Sequence, residues 1–365
     1  MKIKDIINVL ENAAPPALQD SYDNAGLITG DERQYCTGVL CSLDATEAVV
    51  DEAIERKCNL IVAHHPVVFK GLKRITGKTY VERTIIKAIK NEIAIYAIHT
   101  NLDNIIAGVN GRMADRLGLI NRAILQPKAL TLKKLYTFVP VEQAENLRTA
   151  LFHAGAGHIG NYSQCSFNSE GTGTFKGEAG THPFAGVTGE LHFEKEVKIE
   201  VIFPAWIEQK LVQALKAAHP YEEVAYDVVQ LENTHQHTGA GLTGLLPQPM
   251  EEKEFLGFLK ESFQLRLIRH TRLTGSPIQK VALCGGAGSF LISNALHANA
   301  DIFISADIKY HEFFDADSRM VIADIGHFES EQYTVDLLHD ILLEKFPTFA
   351  VLKTAVNTNP VFYYA

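Results

Sequence analysis

TGVLCSLDATEAVVDEAIERKCNLIVAHHP, residues 37 to 66, reads as a strand, a helix of about a dozen residues and a second strand, Asn59 to Ala63. The helix shows in Ala48, Val49, Ala53 and Ile54, apolar positions at helical spacing. That is a βαβ unit. A further helix, VERTIIKAIKNE (81–92), leads into IAIYAIHTNLD (93–103), whose nearly continuous apolar run is typical of strands that a parallel sheet buries on both faces. Late in the chain the pattern returns. VALCGGAGSFLISNALHANADIFISAD (281–307) is again strand, helix and strand, and RMVIADIGHFESE (319–331) supplies the next strand and the segment directly after it. Aligned at the second strands, Ala53 falls on Ala295; aligned at the third, His99 falls on His327 and Asp103 on Glu331. The offsets differ, so an insertion or deletion separates them, but both copies place His-x-x-x-carboxylate just past a buried strand.

Between these halves the composition changes. LYTFVPVEQAENLRTALFHAG (135–155) and KIEVIFPAWIEQKLVQALKAAHPYEEVAYDVVQL (198–231) read as strand–helix and strand–helix–strand, and the region near GVTGELHF (186–193) adds another strand. The expected architecture is therefore α/β: two related βαβ-rich halves, 1–127 and 238–365, form one core domain. A ferredoxin-like βαββαβ insert, 128–237, interrupts it. The Gly-, Ser- and Thr-rich segment 160–184 reads as a mobile loop of the insert.

With 365 residues and 46 % hydrophobic content, the chain can bury a full core over two or three domains. A net charge of −9, with KRITGK (73–78) as the nearest basic cluster, argues against a nucleic-acid partner. Five cysteines without C-x-x-C spacing indicate neither a disulfide framework nor a thiolate zinc site. The N-terminal MKIKDIINVLENAAPP reads as an amphipathic helix rather than a signal peptide, and no apolar run approaches a membrane span. The expected location is the cytoplasm.

In parallel sheets, ligands gather outside the carboxyl ends of the strands. Three such ends carry His64 and His65, His99 with Asp103, and His327 with Glu331. In GHFESE, the i, i+4 spacing puts His327 and Glu331 on one face if a helix begins there. Neighbouring residues of an extended chain point apart, so His64 and His65 suit two ions better than one. Any one of these histidines could instead be a turn residue bonded to a backbone carbonyl; their joint placement, with acid partners at matching positions of a repeat, favours metal. Imidazole and carboxylate donors suit Zn, Fe, Mn, Co or Ni rather than Ca or Mg. The economical reading is a two-metal site with zinc as first choice, in which His99 either orients the site or shuttles protons. Tyr310 and His311, in DIKYHEFFDAD (307–317), stand where the first half has its histidine pair, and are candidates for acid–base work. Gly285 to Ser289 either cradle a phosphate or simply allow close strand-to-helix packing.

AHHP, HTNLD, GGAGSF, DIKYHE and GHFESE, in that order, resemble the Nif-three-like family, whose members are also called GTP cyclohydrolase 1 type 2 homologues. The resemblance covers both outer halves. It implies metal ligands at His64, His65, Asp103, His327 and Glu331, with Glu331 bridging two divalent ions per subunit, and a homohexamer whose sites face an internal cavity. YDNAG (22–26) corresponds to an early aromatic-Asp-Asn-x-Gly motif, with Tyr22 where Trp is common. The longer members carry a PII- and CutA-like middle module, to which HPYEEVAYDV (219–228) is similar as its last strand. Two functions are expected as alternatives. One is a metal-dependent hydrolase acting on a nucleotide or another phosphorylated small molecule. The other is a metal-binding or metal-sensing assembly without turnover, with the insert as regulatory module.

Overall fold

The computed structural model describes residues 1–364, which divide into two compact units: Met1–Pro127 together with the chain from His237 onward, and Lys128–Gln236. No helix among the described residues is long and apolar enough to cross a membrane.

The outer unit holds two sheets. The first is built from β1 (Gly26–Thr29), β2 (Val39–Ser42), β3 (Leu60–Ala63), β4 (Ala94–Ala97) and β15 (Val351–Lys353), in the order β1-β4-β3-β2-β15. All neighbours are parallel except β1, which runs against β4. Every residue of β2, β3 and β4 is buried, because both faces are covered. Val39, Cys41, Leu60, Val62 and Tyr96 pack against the N-terminal helix Ile3–Ala13 and Leu338 and Leu342 of helix Thr334–Lys345. The alternate residues Leu40, Ile61, Ala63 and Ile95 pack against helices Glu47–Glu55 and Tyr80–Lys90. Thr46 and Thr79 start these two helices by accepting the backbone N–H of Val49 and Glu82.

The second sheet contains β5 (Ile120–Pro127), β10 (Gly239–Met250), β11 (Arg269–His270), β12 (Ile278–Ala287), β13 (Ile302–Ala306) and β14 (Val321–Asp324), in the order β11-β14-β13-β12-β10-β5. β12, β13 and β14 are parallel, like their counterparts in the first sheet. The halves are interlaced: β5, from the early half, pairs with β10, while β15, from the end of the chain, pairs with β2.

The middle unit has β6 (Leu132–Pro140), helix Ala144–Ala154, β7 (Phe167–Lys176), β8 (Leu191–Pro204), helix Glu208–Ala218 and β9 (Tyr226–Gln230), a β-α-β-β-α-β succession. Its sheet is antiparallel, in the order β7-β8-β6-β9. The expectation of a mobile loop over 160–184 needs correction, since β7 occupies its middle and pairs with β8 from Phe167–Glu200 to Lys176–Leu191. Gly171 and Gly173 are no breakers here, because a long partner strand supplies the backbone hydrogen bonds that local propensity does not.

Candidate metal centre

In both sheets, the parallel strands end at one place. His64 and His65 follow β3, His99 and the short helix Thr100–Asp103 follow β4, Asp307 follows β13, and the helical turn His327–Glu331 follows β14. Each imidazole is fixed through Nδ1, which sends Nε2 inward. His64 Nδ1 lies 2.9 Å from the Ile98 carbonyl, His65 Nδ1 2.8 Å from Asp44 Oδ1, His99 Nδ1 2.8 Å from Asp23 Oδ1, and His327 Nδ1 2.7 Å from Asp307 Oδ2. Such partners set tautomer and ring orientation and raise the basicity of a ligand nitrogen. The carboxylates are themselves held. Asp44 Oδ2 accepts the Thr358 hydroxyl at 2.6 Å, and Asp23 Oδ2 accepts the backbone N–H and hydroxyl of Thr100.

Glu331 stands at the middle, and its two oxygens face different neighbours. Oε1 lies 3.9 Å from His64 Nε2, which is itself 3.6 Å from Asp103 Oδ1. Oε2 lies 3.0 Å from His65 Nε2 and 3.1 Å from His327 Nε2. Ligand atoms of His64, His65 and His99 lie within 4.8 Å of one another, as do those of His65, His327 and Glu331, so each trio can hold a metal ion. Unpartnered polar atoms are costly to bury, yet His64 Nε2 and Asp103 Oδ1 are buried without a hydrogen-bond partner. Orphaned donors of this chemistry, converging from separate strands, fit a bound cation.

The electrostatics agree with that fit. Burial pushes Asp103 well above the usual carboxylate range, with the charge of Glu331 adding to it. Burial acts the same way on Glu331, but His327, His65 and His64 outweigh it and hold this carboxyl well below that range. Complete burial lowers His64 to about 3. For His65, burial opposes the charge, but Asp44 and Glu331 on either side raise it to about 10; the same competition, won by Glu331 and Asp307, brings His327 to about 9. These opposed shifts come from carboxylates and imidazoles crowded into one buried space, a crowding that a cation would relieve.

The structure brings His64, His65, His99, Asp103, His327 and Glu331 together beside a cavity of about 680 Å³, with Tyr22, Phe69, Phe290 and Tyr363 among its walls. His64 and His65 both turn to one carboxylate, one toward each oxygen, so the extended-chain picture of two residues pointing apart holds only for the oxygens they face. Tyr310 and His311 are elsewhere: both lie on the exposed turn Tyr310–Ala316, ring centroids 5.2 Å apart, and neither lines this cavity. The crossover from β13 carries them past the strand ends before the chain returns through β14. Gly285 and Gly286 have their N–H groups engaged by Asn110 Oδ1 and Ser330 Oγ. A Cβ on Gly286, whose φ is +61°, would stand 2.4 Å from Glu331 Oε1, so this glycine makes room for the carboxylate.

Sequence reasoning missed Asp23, Asp44 and Asp307, the partners of three imidazoles. A signal existed for two of them: Asp44 and Asp307 lie just past buried strands, where ligand-side residues collect. Asp23 lies in YDNAG, a motif whose structural task is to hold His99.

Comparison with known proteins gives a consistent family. The model of Duf34/NIF3 (NGG1p interacting factor 3) matches residues 1–360. The chain is 41 % identical over 360 residues to the "GTP cyclohydrolase 1 type 2 homolog" of Halalkalibacterium halodurans, covering 97 % of each, and 40 % identical over 327 residues to that of Bacillus subtilis, covering 89 % of this chain and 88 % of that one. Among solved structures, the Bacillus cereus protein related to NIF3 superposes with a TM-score of 0.88 at 39 % identity over 100 % of this chain and 99 % of that one. Strand-end donors, fold and sequence therefore lead to the same place: the chain belongs to the Duf34/NIF3 family.

Proposed function

We propose that the centre holds two divalent transition-metal ions, zinc first among them, and that it hydrolyses a nucleotide or another phosphorylated small molecule. The observation that carries this reading is the division of labour at Glu331, with Oε1 toward His64 and Asp103, and Oε2 toward His65 and His327. Divalent ions in such a site supply an activated water and polarise the oxygen under attack. His64, His65, Asp103, His327 and Glu331 would hold the ions, while Asp44 and Asp307 keep two of the imidazoles aimed. His99, pinned by Asp23, stands within the cluster as the proton-handling group, and the aromatic wall of the cavity suits a flat base or ring. Family resemblance supports a homohexamer, and five cysteines without disulfide-framework or C-x-x-C spacing support a reducing cytoplasm.

One observation favours metal binding without turnover. Tyr310 and His311, two of the three groups expected to move protons, do not line the cavity, and His99 alone remains. The deciding experiment is reconstitution with Zn, Mn or Fe, metal stoichiometry by plasma mass spectrometry, and a screen for phosphate release from nucleotides and sugar phosphates. Hydrolysis requires about two ions per chain, loss of metal in Glu331→Gln, and a His99→Ala protein that keeps metal but turns over slowly, by roughly the 10²–10⁴-fold typical of a lost acid–base group. Two ions with no substrate turned over would leave the sensing role; no uptake of metal by the wild type would remove both.

A further inference from the structure

We propose that the middle unit carries a binding site of its own for a small organic cation, an alkylammonium or guanidinium compound. The cavity is about 640 Å³ and lies on the sheet face turned away from the two helices. The β8 alternation sets that face. Val197, Ile199, Val201 and Phe203 pack against the helices, so Glu196 and Lys198 point to the other side. In register, Glu196 is opposite Gly171 on β7, and Glu194 is opposite Gly173. Two glycines two residues apart leave the floor bare where side chains would otherwise cover Glu196. A Cβ on Gly171 would meet nothing within 4 Å, whereas one on Gly173 would stand 2.1 Å from Glu196 Oε2. The bare strand therefore provides both open volume and room for the carboxylate.

Glu196 is only 8 % exposed. Its Oε1 accepts the Tyr221 hydroxyl at 2.7 Å, while Oε2 has no hydrogen-bond partner among the described residues. Around it stand three tilted rings: Phe175 and Phe184 lie 5.9 and 6.2 Å from the Tyr221 ring. The 177–184 and 221–225 segments line the cavity and are joined by the His182 N–H donating to Glu222 Oε1. Glu170, Glu222 and Glu223 add negative charge, and the one basic lining residue, Lys198, is paired with Glu200 at 2.7 Å and lies over the Tyr136 ring. Aromatic faces around a buried carboxylate attract a cation with an apolar body, and repel phosphates. A metal ion fits less well, since both trios of metal-competent ligand atoms among the described residues lie in the outer unit.

The test is calorimetric titration of the full chain with agmatine, spermidine and tetramethylammonium, with ATP and Mn²⁺ as counter-probes. At least one of the three cations is expected to bind at one site per chain. Glu196→Gln should weaken it about tenfold or more, as loss of a charge-assisted contact does. Gly171→Val should abolish it by filling the cavity, with circular dichroism confirming the fold, and Glu331→Gln, at the metal centre, should leave it unchanged. Absence of binding by all three cations would overturn the proposal, as would binding indifferent to both Glu196→Gln and Gly171→Val. Binding of ATP or Mn²⁺ that depends on Glu196 would also overturn it. So would a change of oligomeric state in Glu196→Gln without any cation effect, which would assign this face to a second copy of the chain.

Discussion

The two cavities are close in size, about 680 Å³ in the outer unit and about 640 Å³ in the middle one, and they are built on opposite plans. The outer one is made by convergence: strand ends from two sheets deliver imidazoles and carboxylates to one point, and each imidazole is locked from behind by Asp23, Asp44, Asp307 or the Ile98 carbonyl. The middle one is made by omission: glycines strip a strand so that the buried Glu196 carboxylate and the rings around it are left facing open space. The difference teaches that a glycine has no fixed meaning beside a site. Gly286 yields space to a carboxylate that is already crowded, whereas a Cβ on Gly171 would meet no protein atom within 4 Å.

The contrast breaks most visibly at those glycines. Gly286→Ala forces a side chain into the left-handed region and against Glu331 Oε1, a cost of about 1–3 kcal/mol in backbone strain alone. Its metal content, by plasma mass spectrometry, should fall as far as that of Glu331→Gln; retention of wild-type metal would mean that Glu331 is not the hub. A smaller effect is expected behind the ligands. Asp44→Asn keeps the shape but loses the charge that orients His65, and metal affinity measured by competition with a chelator should drop by about 10–100-fold. An unchanged affinity would make Asp44 a mere neighbour.

The smallest expected effect belongs to the middle unit and to pH. His219 Nε2 donates to the Phe138 carbonyl at 2.9 Å, while Nδ1 accepts the Tyr221 N–H at 3.1 Å, an arrangement only the neutral ring satisfies. Burial accordingly lowers His219 below its ordinary value, against the pull of Phe138 O and of Glu196, the charged group facing it. The folded value being the lower one, the stabilisation is present above about pH 6.5 and fades as the pH falls from there toward the folded-state value. Denaturant melts of the full chain, followed by Trp206 fluorescence, should show this slope, and His219→Gln should flatten it. A slope unaltered by that substitution would place the acid sensitivity elsewhere.

Much of the site is legible in the sequence, for reasons that differ by residue. His64, His65, Asp103, His327 and Glu331 stand at the ends of apolar runs, and strand ends are where a parallel sheet collects ligands. Asp23, 76 residues from His99 in sequence, cannot be paired with it from spacing. Tyr310 and His311 match the first half by position in a repeat, but their exposed turn takes a path that the repeat does not share. The segment 160–184 resembles a loop because its composition is that of one; its strand exists through β8.

By itself, the sequence determined the periodicities that make strands and helices, the α/β class, and the donor types available to an ion, because these depend on near neighbours along the chain. Only the tertiary structure decided that Glu331 offers one oxygen to each side, which aspartate holds which imidazole, and that Glu196 opens onto an empty floor. Each of those depends on the separation of atoms far apart in the chain, which packing and strand register set.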